Sequence, residues 1–167
     1  MLNEKIGARP RMTGVVRVCA FKRGRMLWER ESENLVVTAG LTPAAKLLGG
    51  DVTNQPITAM GFGSGSGTPA IGDTQITAPA YYKALVSHSY PTAGQVQFNW
   101  SIVAPTDSAA YGINIQELGL FCNTNTTTLP VYQASANPGM TLFAHILMGL
   151  GVFGVGLSFS GSWTITA

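Results

Sequence analysis

The chain has 167 residues, a length that suits one domain with a substantial core, and its net charge is +2. Only 11 % of its residues are charged, against about 25 % in an average globular protein. So few charges cannot coat the surface of a well-behaved monomer, and they favour a protein whose surface is covered by other subunits. The 20 glycines and 9 prolines favour many short strands and turns over long helices.

The charges are concentrated at the amino-terminal end. Residues 1–34 hold eight Lys/Arg and four Asp/Glu, a net charge of +4, whereas residues 118–167 hold no charged side chain. Such a basic segment suits either nucleic acid or a neighbouring subunit, and we favour the subunit. We expect seven cations to dock on an acidic partner protein: Lys5, Arg9, Arg11, Arg17, Lys22, Arg23 and Arg25. Neither nucleic acid nor a membrane is expected as a partner.

The first predicted elements form a charged hairpin. Residues 13–21 and 26–31 are predicted strands, and Gly24 can adopt the positive φ of the turn between them. We divide the chain into a basic arm and hairpin at 1–33, which can also supply the first strands of the domain, and a β domain at 34–167. A short helix is predicted at 43–48, because Thr42 can cap it, Pro43 suits its first position and Gly49 can end it.

The remaining elements are predicted to be strands separated by turns. They are expected at 57–62, 81–89, 95–103, 113–122, 131–134, 141–147 and 152–167, with a Gly/Ser/Pro loop at 63–72. The segments 81–89 and 95–103 are expected to form a hairpin. This pattern predicts an all-β fold, an antiparallel β-sandwich or jelly-roll-like barrel with one short helix.

The final predicted strand alternates strictly between apolar or small residues and hydroxyl residues. Phe159 and Trp163 belong to the first set, and serines and threonines occupy every second position from Ser158 to Thr166. A neutral hydroxyl face suits a surface that another copy covers. The aromatic residues that we expect at contacts between subunits are Tyr81, Tyr82, Phe143, Phe159 and Trp163.

An uncharged stretch at 140–159 has the length of a membrane-spanning helix. Four glycines lie in its second half, and its end merges with the alternating strand. We therefore interpret the stretch as two strands that are joined at the glycines.

The sequence holds no recognisable catalytic or cofactor constellation. The GFGSGSG run at 61–67 lacks the Lys-Ser/Thr of a phosphate loop and the helix of a dinucleotide site, so we expect a flexible surface loop. His88 and His145 have no metal-ligand spacing, and His145 is expected to be a satisfied histidine in the core or at an interface. We predict no enzyme, no catalytic residue, no metal site and no cofactor. Cys19 and Cys122 are expected to be thiols rather than a disulfide.

Four segments resemble a family of small virion proteins of tailed bacteriophages, encoded near tail, baseplate or fibre genes. Residues 34–41 (NLVVTAGL) resemble that family's NLVVxxGL element, and residues 116–121 (QELGLF) resemble its xEIGLF element. The loop from Met60 to Thr74 is similar to its GxGxxxPxxxDT loop. Residues 141–145 (TLFAH) and the closing strand resemble its xLFAR and xVxWxITV segments. His145 departs from this pattern, because the family tends to place Arg there, and the insertion at 123–138 is longer than usual.

The resemblance implies a structural subunit of a virion, assembled after synthesis in the cytoplasm of a bacterial host. It implies a site in the tail, the baseplate or the fibre-attachment region, self-assembly as a trimer or hexamer, and docking to other virion proteins. Two alternatives stay open. One is a protein that decorates the capsid, and the other is a receptor module in which exposed Tyr or Trp residues bind a host-surface glycan.

Overall fold

A computed structural model describes residues 12–53, 55–122 and 139–167, together with the backbone of 131–132. The described elements, in chain order, are β1 (Thr13–Lys22), β2 (Arg25–Val36), α1 (Thr38–Leu48), β3 (Ile57–Gly63), β4 (Pro79–Ala84), β5 (Ser87–Ser89), β6 (Gln95–Val103), a 3-10 turn (Ser108–Ala110), β7 (Asn114–Cys122), β8 (Val131–Tyr132), β9 (Thr141–Val152) and β10 (Leu157–Thr166). The predicted all-β class with one short helix is confirmed.

The strands form one antiparallel order, β5-β6-β10-β1-β2-β9-β7-β3-β4-β8. Both halves of this order contribute to the same hydrophobic core. Val18 and Trp163 come from β1 and β10, and Leu118 and Ile146 come from β7 and β9. The sheet therefore curls around one interior, toward which alternate residues of each strand are directed.

The two halves of the sheet meet at a narrow seam between β2 and β9. Only Leu35↔His145 and Val36↔Ala144 pair there, whereas β1 and β10 pair over ten residues, from Thr13↔Thr166 to Lys22↔Leu157. Because β1 lies between β10 and β2, residues 13–33 supply the first strands of the domain.

The helix begins five residues earlier than predicted. It spans Thr38–Leu48, its N-cap residue is Val37, and no side chain caps it, so the expected cap at Thr42 is wrong. Gly40 allows the early start, because it lies against the backbone of Phe143, where a side chain would collide. Pro43 therefore lies inside the helix and leaves one carbonyl without its usual intrahelical donor.

One strand prediction needs correction and one interpretation is confirmed. The segment predicted at 81–89 is divided into β4, which pairs with β3 and β8, and β5, which pairs with β6. The predicted hairpin is therefore formed by β5 and β6 alone. The uncharged stretch at 140–159 is divided between β9 and β10, with Gly154 and Gly156 in the connection, so the two-strand interpretation is confirmed. Within the described part of the chain, no helix is long and apolar enough to cross a membrane.

Strands β3, β4 and β7 are buried on both faces. One face joins the main core, and the other packs in a second cluster with Ile76 from the loop at 64–78 and Val37 from the start of α1. This second layer of cover explains why the two neighbouring residues Tyr81 and Tyr82 are both buried.

Candidate interaction surfaces and buried polar clusters

The outward side of β5, β6 and β10 carries no charged side chain. Directly paired residues of antiparallel strands share one face, and the register places the hydroxyl row of β10 beside the amide and hydroxyl residues of β6 and β5. We call this surface the neutral face; its members are Ser87, Ser89, Gln95, Gln97, Asn99, Ser101, Val103, Ser158, Ser160, Ser162, Thr164 and Thr166. The predicted alternation of β10 is confirmed, since Phe159, Trp163 and Ile165 are buried.

The amides of the neutral face bond to one another along β6. The Gln97 amide donates to Asn99 Oδ1 at 3.0 Å, and the Asn99 amide donates to Ser87 Oγ at 3.0 Å. A shallow depression of about 450 Å³ lies between this face and β1, lined in part by Asn99 and Ser160 and, at its β1 border, by Arg17. The surface is thus polar and uncharged, and part of its hydrogen-bonding capacity is already used within the chain.

Charges begin at the border of the neutral face, on β1 and β2. The Arg17 guanidinium lies 2.7 Å from a Glu31 carboxylate oxygen and 3.3 Å from one of Glu29. Arg17, which was expected to dock on a partner, is therefore paired within its own chain.

The turn between β1 and β2 brings three of the predicted docking cations together. Lys22, Arg23 and Arg25 are exposed there, and none has an ion pair among the described residues. Arg23 adopts a φ of 51°, and its N–H donates to the Gly156 carbonyl at 2.9 Å. Lys5, Arg9 and Arg11 lie outside the described residues. We call residues 22–25 the basic turn.

The five aromatic residues expected between subunits lie in the interior of the chain's own fold. Each is at most 4 % exposed, so their side chains are not available to a neighbouring copy: Tyr81, Tyr82, Phe143, Phe159 and Trp163. This corrects the expectation. The strands that carry them direct them into the two apolar clusters, and Trp163 also donates its indole N–H to Asn34 Oδ1 at 2.9 Å.

A buried histidine lies between two carboxylates. His145 Nδ1 is 2.8 Å from Asp73 Oδ2, and His145 Nε2 is 3.0 Å from Glu117 Oε2. His145 is 1 % exposed and Glu117 is fully buried. Sequence reasoning identified a satisfied histidine but missed its partners. A lone Glu in the apolar run of β7 was the available signal, because a buried carboxylate requires a partner.

Glu117 also organises the loop at 64–78. Its carboxylate accepts backbone N–H groups from Gly65 at 3.0 Å, Thr77 at 2.8 Å and Ala78 at 2.7 Å. A side chain at Gly65 would collide with this carboxylate, which explains the glycine. Part of the predicted flexible loop is therefore anchored to the sheet.

A second buried carboxylate ties β4 to the end of β6. Asp107 is 1 % exposed and accepts the Tyr81 hydroxyl, the Lys83 ammonium and the Val103 backbone N–H, each at 2.7 Å. Burial would raise the pKa of Asp107, but the bonds from Lys83, Tyr81 and Val103 outweigh it and the pKa is lowered.

The polar atoms of both clusters bond to partners within the chain. Both nitrogens of His145 are bonded to carboxylates, which leaves neither nitrogen for a substrate. In the described residues, no group of three His, Cys, Asp or Glu side chains is arranged to hold a metal ion. Cys19 and Cys122 are free thiols, and burial raises the pKa of Cys122 to about 12.

Few of the aromatic residues that could stack on a sugar ring are accessible. The candidates that the sequence offers are Tyr81, Tyr82, Tyr90, Trp100 and Tyr111. Trp100 is 2 % exposed, whereas Tyr90 is 74 % exposed and its ring centroid lies 5.8 Å from that of His88. Among the described residues, the structure thus presents one exposed tyrosine of the predicted set rather than a groove lined by several rings.

Comparison of this chain with protein-family models, curated protein sequences and solved structures returned no match.

Proposed function

We propose that this chain is a structural subunit of a tailed-phage virion that acts by self-assembly and by docking to neighbouring virion proteins. The observation that carries the proposal is the neutral face, an uncharged strand surface across β5, β6 and β10. The assignment to a virion, and to its tail, baseplate or fibre-attachment region, rests on the resemblance of four sequence segments.

The physical argument concerns desolvation. Burying an unpaired charge between subunits costs several kcal/mol, whereas hydroxyls and amides can exchange bonds to water for bonds across an interface. The central region of protein interfaces is depleted of charge for this reason. A surface of twelve uncharged residues is therefore suited to repeated contacts between identical subunits.

The buried histidine cluster also supports the proposal. Asp73, Glu117 and His145 come from three of the segments that carry the resemblance, and they meet within hydrogen-bond distance. Segments far apart in the chain thus contribute to one structural unit, as expected if the four segments belong to a common fold.

The proposal is tested by adding a charge to the neutral face. Thr164→Lys places an ammonium in the hydroxyl row of β10, opposite Gln97, and Thr58→Lys makes the same change at an exposed position of β3. Light scattering over a concentration series should give a trimer or hexamer for the wild type and for T58K, and smaller species for T164K. A wild-type monomer at every concentration would contradict self-assembly and favour a decoration protein or a glycan-binding module.

A further inference from the structure

Most of β2 has a strand partner on one side only. It pairs with β1 along its length, but its pairing with β9 is limited to Leu35 and Val36. No other strand of the described part of the chain pairs with residues 25–34. A free strand edge of this length offers a row of backbone donors and acceptors to an added strand.

The free edge is exposed and partly apolar. Met26 and Leu27 are 55 % and 50 % exposed. On the inner side, the Arg30 guanidinium lies 4.5 Å from the centroid of the Trp28 ring and donates to the Gly149 carbonyl at 2.7 Å. This side chain spans the gap to β9 near Gly149, while backbone pairing between the two strands is limited to Leu35 and Val36.

Opposite charges lie at the two ends of the free edge. The basic turn, with Arg25 at the first position of β2, lies at one end, and Glu29, Glu31 and Glu33 follow toward the other. Arg17 pairs with Glu29 and Glu31. Arg25 and Glu33 have no ion pair among the described residues, which leaves one cation and one anion available at opposite ends.

We infer that the free edge of β2 pairs antiparallel with the same edge of a second copy, around a two-fold axis. Antiparallel pairing that sets Arg25 opposite Glu33 of the other copy joins opposite charges at both ends, whereas parallel pairing would bring like charges together there. The same register places Glu29 beside Glu29 of the other copy at the axis, where each carboxylate lies 3.3 Å from the Arg17 guanidinium of its own chain. The inference rests on the proposed self-assembly and deepens it by naming one contact.

The test is a charge exchange between copies. In an Arg25→Glu dimer, the new Glu of each copy lies opposite Glu33 of the other, so acidic groups meet at both ends of the edge. In a Glu33→Arg dimer, the new Arg of each copy lies opposite Arg25 of the other, so basic groups meet. Each variant alone should associate at least about tenfold more weakly than the wild type. An equimolar mixture should recover the affinity as a 1:1 heterodimer, because each edge end again joins opposite charges. Lys46→Glu, on the exposed side of α1, is the control and should leave association unchanged.

Sedimentation measurements in the wild-type and Thr164→Lys backgrounds separate this inference from the proposed function. A dimer that persists in T164K and is lost on adding R25E supports the edge contact. Backbone amides of residues 25–34 should also exchange more slowly in the dimer. Association unaffected by R25E and E33R, no recovery in their mixture, or a monomer at every concentration would overturn edge pairing. Assembly that depends on Thr164 alone would overturn it while leaving the proposed function intact.

Discussion

His145 and Glu117 form a charged pair that is almost completely enclosed, with 3.0 Å between Nε2 and Oε2. Burial lowers the pKa of His145, but the hydrogen bonds and charges of Glu117 and Asp73 outweigh it, so the pKa is raised overall. Burial likewise raises the pKa of Glu117, but bonds from His145, Ala78, Thr77 and Gly65 outweigh it and lower the pKa to about 2. The cluster therefore holds an imidazolium between carboxylates.

Stability should depend on pH on both sides of a plateau. A raised histidine pKa stabilises the fold below the ordinary value of 6.5, and this stabilisation is lost as pH rises through the raised value. A lowered Glu117 pKa stabilises the fold above the ordinary value of 4.5 and loses its effect as pH falls toward about 2. Thermal melting should therefore be highest between pH 4.5 and 6.5; a melting temperature still rising above pH 7 would contradict this.

His145→Arg should remove the alkaline loss of stability. The guanidinium stays charged at every accessible pH and can bond to both carboxylates. Melting curves of H145R should be nearly flat from pH 6 to 9, whereas the wild type declines. The control His88→Arg, at an exposed position, should keep the wild-type profile. If the melting temperature of H145R fell with pH as steeply as that of the wild type, groups other than His145 would cause the loss of stability.

Glu117→Gln should destabilise the protein by about 3–5 kcal/mol, because it removes one partner of a buried charged pair. Its amide NH2 would also face backbone N–H groups that now donate to the carboxylate. Urea unfolding measures the change. The control is Glu33→Gln, measured at a protein concentration low enough that the chain is monomeric. It should alter the free energy of unfolding by less than about 0.5 kcal/mol. Equal effects of the two substitutions would rule out an anchoring role for Glu117.

Tyr81→Phe should cost about 1–2 kcal/mol, since Asp107 would lose one donor but keep Lys83 and the Val103 N–H. Asp107→Asn should cost more, because it leaves Lys83 beside a neutral amide. Chemical denaturation gives the free energy of unfolding of each variant, and the two values can be compared. A larger loss in Y81F than in D107N would contradict the expected importance of the carboxylate.

Gly161→Ala should destabilise the sheet by about 1–3 kcal/mol through overpacking. A Cβ atom there would lie 2.7 Å from Cζ2 of Trp100, a ring held in the core. Thermal melting, with tryptophan fluorescence to follow Trp100, measures the effect. Ser160→Ala, at the next position on the opposite face, is the matched control and should be nearly neutral.

The strands could be predicted because their side-chain periodicity is local. Residues 95–103 form β6 as predicted, and the alternating residues form β10, although that strand begins at Leu157 rather than at the predicted residue 152. The start of α1 could not be predicted, since Gly40 is a poor helix former and only its contact with Phe143 explains its place in the helix. The split between β4 and β5 likewise depends on the strands with which each one pairs.

The buried clusters are harder to predict because their members are distant in sequence. Asp73 and His145 are 72 residues apart and meet only after the loop at 64–78 folds against β7 and β9. The location of the aromatic residues was misjudged for a related reason. A strand with both faces covered leaves no outward side, so Tyr81 and Tyr82 cannot be assigned to a surface from their alternation.

The narrow seam between β2 and β9 has a mechanical consequence. A force that separates the two halves of the sheet meets two paired residues there, whereas the β1–β10 ladder resists it with ten. Under such a force, the fold should therefore deform first at Leu35 and Val36. The fold can absorb strain by small openings at this line while the β1–β10 ladder stays intact.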